Sequence, residues 1–295
     1  MPGYDYTTVG HVTADVLADG SRRAGGSAFY SALQAARLGR RALIVTQGVR
    51  AEIEELLAPY RAELELHIRP APHTTTLHTR GHGGARTQRM LAWAGPMEPP
   101  DAVDTAILHL APVARETTPA WRGRADFVGL TPQGLVRTWT ALGAPVGQLR
   151  LDPSYLPERC EAIVISEAER ESCAWLIAVA DRADGRPVAA GKAAGAWAGG
   201  AGALVAVTAG ARATVLHVPG GGTLSVQVPA IEHFVDDIGA GDVFAAAFFT
   251  SLHDGSPPHQ AAAFGNAAAA LRIGGAGALA VGQRHEIEAR VRTVA

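Results

Sequence analysis

The stretch Asp236-Asp237-Ile238-Gly239-Ala240-Gly241-Asp242 decides how this chain is interpreted, and an apolar run over residues 243–249 follows it directly. Small residues and a carboxylate before an apolar run predict a loop that turns into a helix. Small residues at a helix N-terminus leave backbone N–H groups open to an anion, and the helix dipole favours negative charge there. Because a phosphoryl group in transfer spreads charge over its oxygens, this arrangement suits phosphoryl transfer.

Asp242 has two interpretations from chemistry alone. A carboxylate in the first turn of a helix commonly acts as an N-cap or as a partner of the helix dipole. Beside an anion hole, it could instead take a proton from an attacking hydroxyl. Asp236 and Asp237 lie just upstream, where a cation or a loop anchor could use them.

Composition limits the class of protein. The chain has 295 residues, 47% of them hydrophobic, which is enough for one large core. A net charge of -2 and scattered Lys and Arg residues give no basic stripe for a nucleic-acid partner. The N-terminus has no basic leader or apolar core, and no apolar stretch is long enough to span a bilayer, so we expect a cytoplasmic protein without a membrane partner.

Strand-like runs alternate with helical patterns along most of the chain. This alternation favours an α/β protein with a mainly parallel sheet that is covered by helices on both faces. Strands are predicted over residues 6–12, 41–46, 106–110, 126–130, 148–152, 162–165 and 203–208. Helices are predicted over residues 27–38, 240–252, 257–273 and 283–294, and the Gly- and Ala-rich tract 189–202 is predicted to form a helix that ends at Gly199-Gly200.

Two stretches break the alternation. Residues 14–24 are short and polar, and residues 73–93 contain the turn Gly81-His82-Gly83-Gly84 between two strand-like runs. We interpret them together as a small β appendage, with a hairpin in the second stretch. A hairpin beside the ligand-binding edge of a sheet is well placed to act as a lid, and a surface excursion without a role is the alternative.

Common nucleotide-binding motifs are missing from the sequence. No Gly-x-x-x-x-Gly-Lys-Ser/Thr occurs, which excludes a Walker-type NTPase. No Gly-x-Gly-x-x-Gly follows the first predicted strand, which argues against a dinucleotide-binding Rossmann enzyme.

Three segments resemble one family of kinases. Residues 235–255 resemble the C-terminal signature of the ribokinase-like (PfkB-type) carbohydrate kinases, which is approximately Asp-Thr-x-Gly-Ala-Gly-Asp-x-Phe. Residues 25–30, Gly-Gly-Ser-Ala-Phe-Tyr, are similar to the N-terminal Gly-Gly signature of that family, and residues 10–15 are similar to its first strand. The resemblance runs in order from about residue 6 to residue 280.

This resemblance implies a fold and an activity. Residues 1–295 would form a single three-layer α/β/α domain with a small β lid. The domain would transfer the γ-phosphoryl group of ATP, with Mg²⁺, to a hydroxyl of a sugar, cyclitol or nucleoside. The resemblance also implies a monovalent cation as a further cofactor and a homodimer formed through the lid.

The resemblance also assigns roles to residues of this chain. Asp242 would be the general base, with the backbone around Gly239, Ala240 and Gly241 as the anion hole. The acceptor would be bound by Asp15, Gly25, Gly26 and Tyr30. ATP would be bound near Thr208, Gly210 and Asn266, and Glu169 would organise Mg²⁺ through water.

Several positions differ from the family pattern. Asp237 stands where Thr or Pro is usual and adds negative charge near the anion hole, which weakens phosphate binding unless it is compensated. Ser166 replaces an Asn near the magnesium position. Tyr30 replaces an Asn that binds sugar hydroxyls, so the acceptor is not expected to be ribose bound in the usual way, unless Tyr30 only packs inward. Ala213 stands where the family often has a second Gly after the Thr-x-Gly loop. Asp237, Ser166 and Ala213 motivate an alternative, a non-catalytic or weakly active ligand-binding or regulatory protein on the kinase fold.

Overall fold

The computed structural model describes residues 3–98, 102–181 and 202–292. The strands in chain order are β1 (Tyr4–Val9), β2 (Thr13–Val16), β3 (Arg22–Gly25), β4 (Ala42–Gly48), β5 (Leu64–Pro70), β6 (Thr76–Arg80), β7 (Thr87–Ala92), β8 (Thr105–Leu110), β9 (Ala125–Leu130), β10 (Arg137–Thr138), β11 (Gly147–Gln148), β12 (Ala162–Ser166), β13 (Leu204–Ala209), β14 (Arg212–Val218) and β15 (Gly222–Val226). The α-helices are α1 (Ser27–Arg37), α2 (Arg50–Leu56), α3 (Gln133–Val136), α4 (Ala174–Ala180), α5 (Ala240–His253), α6 (Pro258–Ile273) and α7 (Arg284–Arg292).

A nine-stranded sheet forms the centre of the described part of the molecule, in the order β15-β14-β13-β12-β9-β8-β1-β4-β5. The strands from β13 to β5 are parallel to one another, whereas β14 and β15 are added antiparallel at one edge. Parallel strands need crossover connections, and the helices between them supply those connections. All carboxyl ends of the parallel strands therefore meet at one edge of the sheet.

Helices cover both faces of this sheet. Successive residues of β4 alternate between two cores, since Ile44 packs into one cluster and Leu43 and Val45 pack into the other. The first cluster contains apolar residues of α1, α5 and α6, and the second contains those of α3 and α4. The predicted three-layer α/β/α architecture is confirmed.

The two stretches that break the alternation pair with each other. A separate four-stranded sheet has the order β3-β2-β6-β7, in which β2 runs parallel to β6. We call this four-stranded sheet the lid sheet. It contains parts of both predicted lid segments, 14–24 and 73–93.

The predicted strand over residues 148–152 is wrong. Only Gly147–Gln148 is extended in a ladder, and it pairs with Arg137–Thr138 outside the main sheet. The backbone N–H of Leu149 donates to Val136 and that of Leu151 donates to Ser172, so this segment ties loops together. The helix predicted within residues 189–202, ending at Gly199-Gly200, lies outside the described residues. None of the helices in the described ranges is long and apolar enough to cross a membrane.

Candidate active site

A pocket lies at the carboxyl edge of the main sheet, beneath the lid sheet. In open α/β sheets, ligands bind outside the carboxyl ends of the strands. The lid sheet, the start of α1, the loop after β8, the segment after β9 and the start of α5 all contribute to it. Its lining residues are Thr13, Asp15, Gly26, Ser27, Tyr30, Leu77, Arg86, Gln88, Val113, Gln133, Arg137, Asp237, Ile238, Gly239, Gly241 and Asp242.

The start of α5 is shaped by its glycines. Gly239 is the N-cap and adopts a left-handed conformation with φ 81°, and a Cβ there would lie 2.4 Å from the Tyr30 ring. A Cβ on Gly241 would meet nothing within 4 Å, so open space lies in front of this residue. The N–H of Ala240 donates to the carbonyl of Asp237 at 3.2 Å. Of the three residues assigned to the anion hole, Gly241 therefore has the most accessible backbone.

Asp242 points into this pocket from the first turn of α5. The carboxylate keeps some exposure to the pocket, but the surrounding protein is dense. Burial raises the pKa of Asp242 to about 6, while the Ser27 hydroxyl, Arg137 and Arg86 lower it and Glu169 raises it. A carboxyl with a pKa near neutrality can accept a proton and release it again, as a general base must.

Asp15 enters the pocket from β2 in the lid sheet. It is 4% exposed and accepts a hydrogen bond from the Thr13 hydroxyl at 2.8 Å. A Cβ on Gly25 would lie 2.2 Å from the Asp15 carboxylate, and one on Gly26 would lie 2.3 Å from the carbonyl oxygen of His11. The Gly-Gly pair is thus needed for the close approach of β3 and α1 to Asp15 and to the loop after β1.

Tyr30 is placed beneath the anion-hole loop. It is 1% exposed, and its ring packs against Gly239 while also lining the pocket. Both interpretations of Tyr30 therefore have a basis in the structure, since it packs inward and also lines the pocket.

The negative charge of Asp237 is compensated by the lid sheet. Arg86 forms an ion pair with Asp237, and the N–H of Gly83 donates to its carboxylate at 2.8 Å. His82 lies 3.8 Å away through its Nδ1 atom. These contacts fasten the tip of the β6–β7 hairpin to the segment that carries Asp242.

Sequence analysis missed two arginines of the pocket. Arg137 is buried, and its guanidinium donates to the carbonyl of Val113 at 2.8 Å and to the side chain of Gln88 at 2.7 Å. Burial lowers the pKa of Arg137. Its position just past the carboxyl end of β9 was the available signal, because side chains there face the ligand-binding edge. No sequence signal placed Arg86 in the pocket, because the strands with which its hairpin pairs could not be assigned from the sequence.

Glu116 is a third residue that sequence analysis missed. It is fully buried, and one of its carboxylate oxygens accepts hydrogen bonds from the N–H groups of His11 and Val113, both at 2.8 Å. The other oxygen accepts from the N–H of Ala114. Glu116 thus ties the loop after β1 to the loop after β8, and Val113 of the second loop lines the pocket.

Glu169 lies next to the pocket but is held by protein donors. One oxygen accepts from both the N–H and the hydroxyl of Ser166 at 2.6 Å, and the other accepts from Gln133 at 3.3 Å. Within the described ranges, no group of three or more His, Cys, Asp or Glu residues could hold a metal ion. Mg²⁺ is commonly held by substrate phosphates and waters with few protein ligands, so Glu169 fits a role through water.

The residues assigned to ATP lie near the antiparallel edge of the sheet. Thr208 is in β13, and Gly210 forms the left-handed turn into β14 with φ 63°. The Asn266 side chain accepts a hydrogen bond from Thr214 at 2.7 Å and donates to the carbonyl of Gln227 at 3.1 Å. The amide also donates to the carbonyl of Val226 at 3.4 Å, and Asn266 is only 3% exposed, so it is bonded to protein partners and the three ATP assignments stay predictions.

Asp236 is surrounded by cationic side chains. Arg272 lies 2.9 Å and Arg23 lies 2.8 Å from the same carboxylate oxygen. The other oxygen accepts a hydrogen bond from the N–H of Ile238 at 2.9 Å. Although burial acts to raise it, these contacts hold the pKa of Asp236 at about 2.

Comparison with known proteins supports a carbohydrate-kinase function in general terms. The model of the pfkB family carbohydrate kinases matches residues 169–283. No curated protein sequence matches the chain.

Several solved structures share its fold. A pyrophosphate-dependent kinase in the ribokinase family, complexed with a pyrophosphate analog and myo-inositol, is 18% identical with a TM-score of 0.67 over 96% of this chain and 99% of that chain. Arabidopsis thaliana ribokinase, complexed with ribose and ATP, is 16% identical with a TM-score of 0.69 over 98% and 99%. The adenosine kinase from Sinorhizobium meliloti is 18% identical with a TM-score of 0.66 over 99% of each chain. At these identities, the likeness shows a common fold.

Proposed function

We propose that this chain is a ribokinase-like (PfkB-type) ATP-dependent kinase that transfers the γ-phosphoryl group to a hydroxyl of a small sugar-like acceptor; the family match over residues 169–283 and the shared fold support this proposal. The single observation that carries this proposal is the environment of Asp242. A carboxylate whose pKa is raised to about 6 by burial lies beside open space at Gly241, at the start of a helix. An acceptor hydroxyl and a phosphoryl group can meet there.

The proposed reaction assigns one step to each part of the site. Asp242 takes the proton of the acceptor hydroxyl as that oxygen bonds to the γ-phosphorus. The bond between the γ-phosphorus and the bridging oxygen breaks, and ADP leaves with the electron pair. The backbone at Gly239, Ala240 and Gly241 and the dipole of α5 stabilise the charge on the transferred group.

The acceptor is held on the opposite side of the pocket. Asp15 accepts hydrogen bonds from its hydroxyls, and the Gly25-Gly26 pair allows the backbone to approach it closely. The Tyr30 ring borders this space where an Asn would otherwise bind two hydroxyls. A cyclitol, a nucleoside or a modified sugar therefore suits the pocket better than ribose bound in the usual way.

Magnesium would supply charge neutralisation of the donor phosphates. Glu169 would contact its water shell, and Thr208 and Gly210 would lie against the nucleotide. Two observations support a donor test with more than ATP. One structural relative is pyrophosphate-dependent, and the buried Asn266 carboxamide is bonded to protein partners.

The experiment combines a donor panel with an acceptor panel. ATP and pyrophosphate, each with Mg²⁺, are incubated with sugars, cyclitols and nucleosides, and phosphorylated products are detected by mass spectrometry. Asp242→Asn should abolish product formation and keep ATP binding by calorimetry. Asp126→Asn removes an exposed carboxylate elsewhere on the chain and should leave product formation unchanged. Full turnover of Asp242→Asn would remove Asp242 from the base position.

The alternative is a ligand-binding or regulatory protein on the same fold. The hydrogen bonds that occupy Glu169 and Asn266 are the observations that favour it. Calorimetry that finds acceptor binding without binding of ATP or pyrophosphate would support this alternative over the kinase.

A further inference from the structure

Arg272 is the largest fully buried side chain in the described part of the molecule. It lies in the last turn of α6, where an arginine normally reaches into solvent and interacts with the helix dipole. Here the guanidinium turns inward under the segment that leads into α5. It donates to the Asp236 carboxylate at 2.9 Å, to the Asp236 carbonyl at 3.2 Å and to the Gly275 carbonyl at 3.1 Å. One cation thus holds three oxygens of two loops.

These three oxygens are the kind that bind a monovalent cation in proteins. Each of them already accepts an N–H of Arg272, and the Asp236 carboxylate is also paired with Arg23 at 2.8 Å. Two guanidinium charges therefore face one carboxylate, and a further cation would be repelled. The monovalent cation that the family resemblance implies does not fit the residues present at Asp236.

Arg272 reaches the anion-hole loop by two routes. Through Asp236, it holds the carboxylate that accepts the N–H of Ile238, the residue directly before Gly239. Through Tyr30, its guanidinium carbon lies 5.3 Å from the ring centroid, and that ring packs against Gly239. A cation beneath an aromatic face attracts the ring. The first route ends at Ile238 and the second at Gly239, the residue that caps α5.

We propose that Arg272 is a built-in cation that positions the anion-hole loop in place of a bound monovalent ion, so that phosphoryl transfer does not depend on K⁺ or Na⁺. Arg272 is a positioning residue, because it acts through Asp236 and Tyr30. The effect on phosphoryl transfer rests on the proposed kinase function. The expectation that the folded protein is equally stable with and without K⁺ or Na⁺ does not rest on it.

The test compares cations at constant ionic strength. Wild-type protein is measured in potassium chloride, sodium chloride and choline chloride, by thermal unfolding and by turnover. Both should be the same in all three salts. Arg272→Ala should lower turnover in choline chloride by about a hundredfold, because a displacement of about 1 Å in a reacting group has an effect of that size. Potassium or millimolar guanidinium chloride should restore part of that loss with a saturable dependence on concentration.

Thermal unfolding gives a readout without turnover. An ion that binds only the folded protein raises its midpoint, so potassium or guanidinium should raise the midpoint of Arg272→Ala and leave that of wild type unchanged. Arg40→Ala is the control, since the Arg40 side chain is also largely buried, 22% exposed, but forms its ion pair with a single carboxylate, that of Asp254. It should lose stability without gaining any response to these cations.

Three results would overturn the proposal. The first is wild-type turnover, or a wild-type unfolding midpoint, that requires potassium or sodium. The second is a folded Arg272→Ala variant that shows no cation-specific recovery in either measurement. If Arg272→Ala does not fold, Arg272→Lys replaces it, and this variant should fold and show the same turnover and unfolding midpoint with and without potassium. The third result that would overturn the proposal is an Arg272→Lys variant that requires potassium. Absence of turnover in every condition would instead count against the kinase function, while the unfolding data still decide the role of Arg272.

Discussion

Asp242→Asn should make the protein more stable at neutral pH. The pKa of Asp242 rises from 3.8 to about 6 in the folded protein, with burial as the main cause. A folded pKa above the unfolded value means that the protonated form favours folding below about pH 4. That contribution is lost as pH rises through 6, because the folded state must then hold a poorly solvated charge.

The magnitude follows from the size of the shift. A change of about 2 pKa units at about 1.4 kcal/mol per unit gives about 3 kcal/mol. The carboxylate keeps some contact with the pocket, so solvent screening reduces the gain expected from Asp242→Asn to about 1–3 kcal/mol. A neutral amide of nearly the same shape removes the charge and creates no cavity.

Urea unfolding across pH measures this effect. At pH 7.5, Asp242→Asn should exceed wild type in free energy of unfolding, and the difference should close as pH falls from 6 to 4. Asp126→Asn, at an exposed position, should match wild type throughout. A variant that is less stable than wild type at pH 7.5, or a difference that does not change with pH, would refute the reasoning.

Three further predictions concern residues around Asp242. Asp236→Asn should lower the free energy of unfolding by about 1–2 kcal/mol at pH 7. The pKa of Asp236 is lowered to about 2, so the stabilisation by its carboxylate is present above pH 4 and is lost as pH falls toward 2. Urea unfolding that finds no loss of stability at pH 7 would contradict this. Arg86→Met should raise KM for the donor by about tenfold in steady-state kinetics, because it leaves the charge of Asp237 uncompensated. Adding Asp237→Asn should reverse much of that increase. An increase in KM that the second substitution does not reverse would count against the pairing of Arg86 with Asp237. Gly26→Ala should cost at least about 2 kcal/mol in urea unfolding, because φ is 95° and the new Cβ would lie 2.3 Å from the His11 carbonyl oxygen; a cost near zero would contradict the close approach.

The main features of the fold could be predicted from sequence because they depend on local patterns. Apolar runs that alternate with helical periods predicted the parallel strands β1, β4, β8, β9, β12 and β13 and the helices α1, α5 and α6, whereas the parallel strand β5 was not predicted. The strand predicted over residues 148–152 was wrong because a short alternating segment also suits a connection whose N–H groups bond to loops. The antiparallel strands β14 and β15 were not predicted either. The residues of β15 are mostly exposed and form no continuous apolar run.

The candidate site could be predicted only where motifs carry it. Asp242, Asp15 and the Gly-Gly pair lie in recognisable segments, and the structure brings them together in one pocket. Arg272 could not be assigned from sequence, because an arginine in the last turn of a helix is normally exposed. Its burial depends on Asp236, which is distant in the chain and reaches α6 only in the folded protein. The pairing of Arg86 with Asp237 depends in the same way on how the lid sheet lies over α5.

The pH dependence of kcat/KM for the acceptor tests the central claim most directly. If Asp242 is the general base, kcat/KM should fall about tenfold per pH unit below a break near pH 6, because only the ionised carboxylate accepts the proton. Asp242→Asn should have a very low value without that break. A wild-type profile that stays flat down to pH 5, or a break near pH 6 that persists in Asp242→Asn, would contradict the assignment of Asp242 as the base.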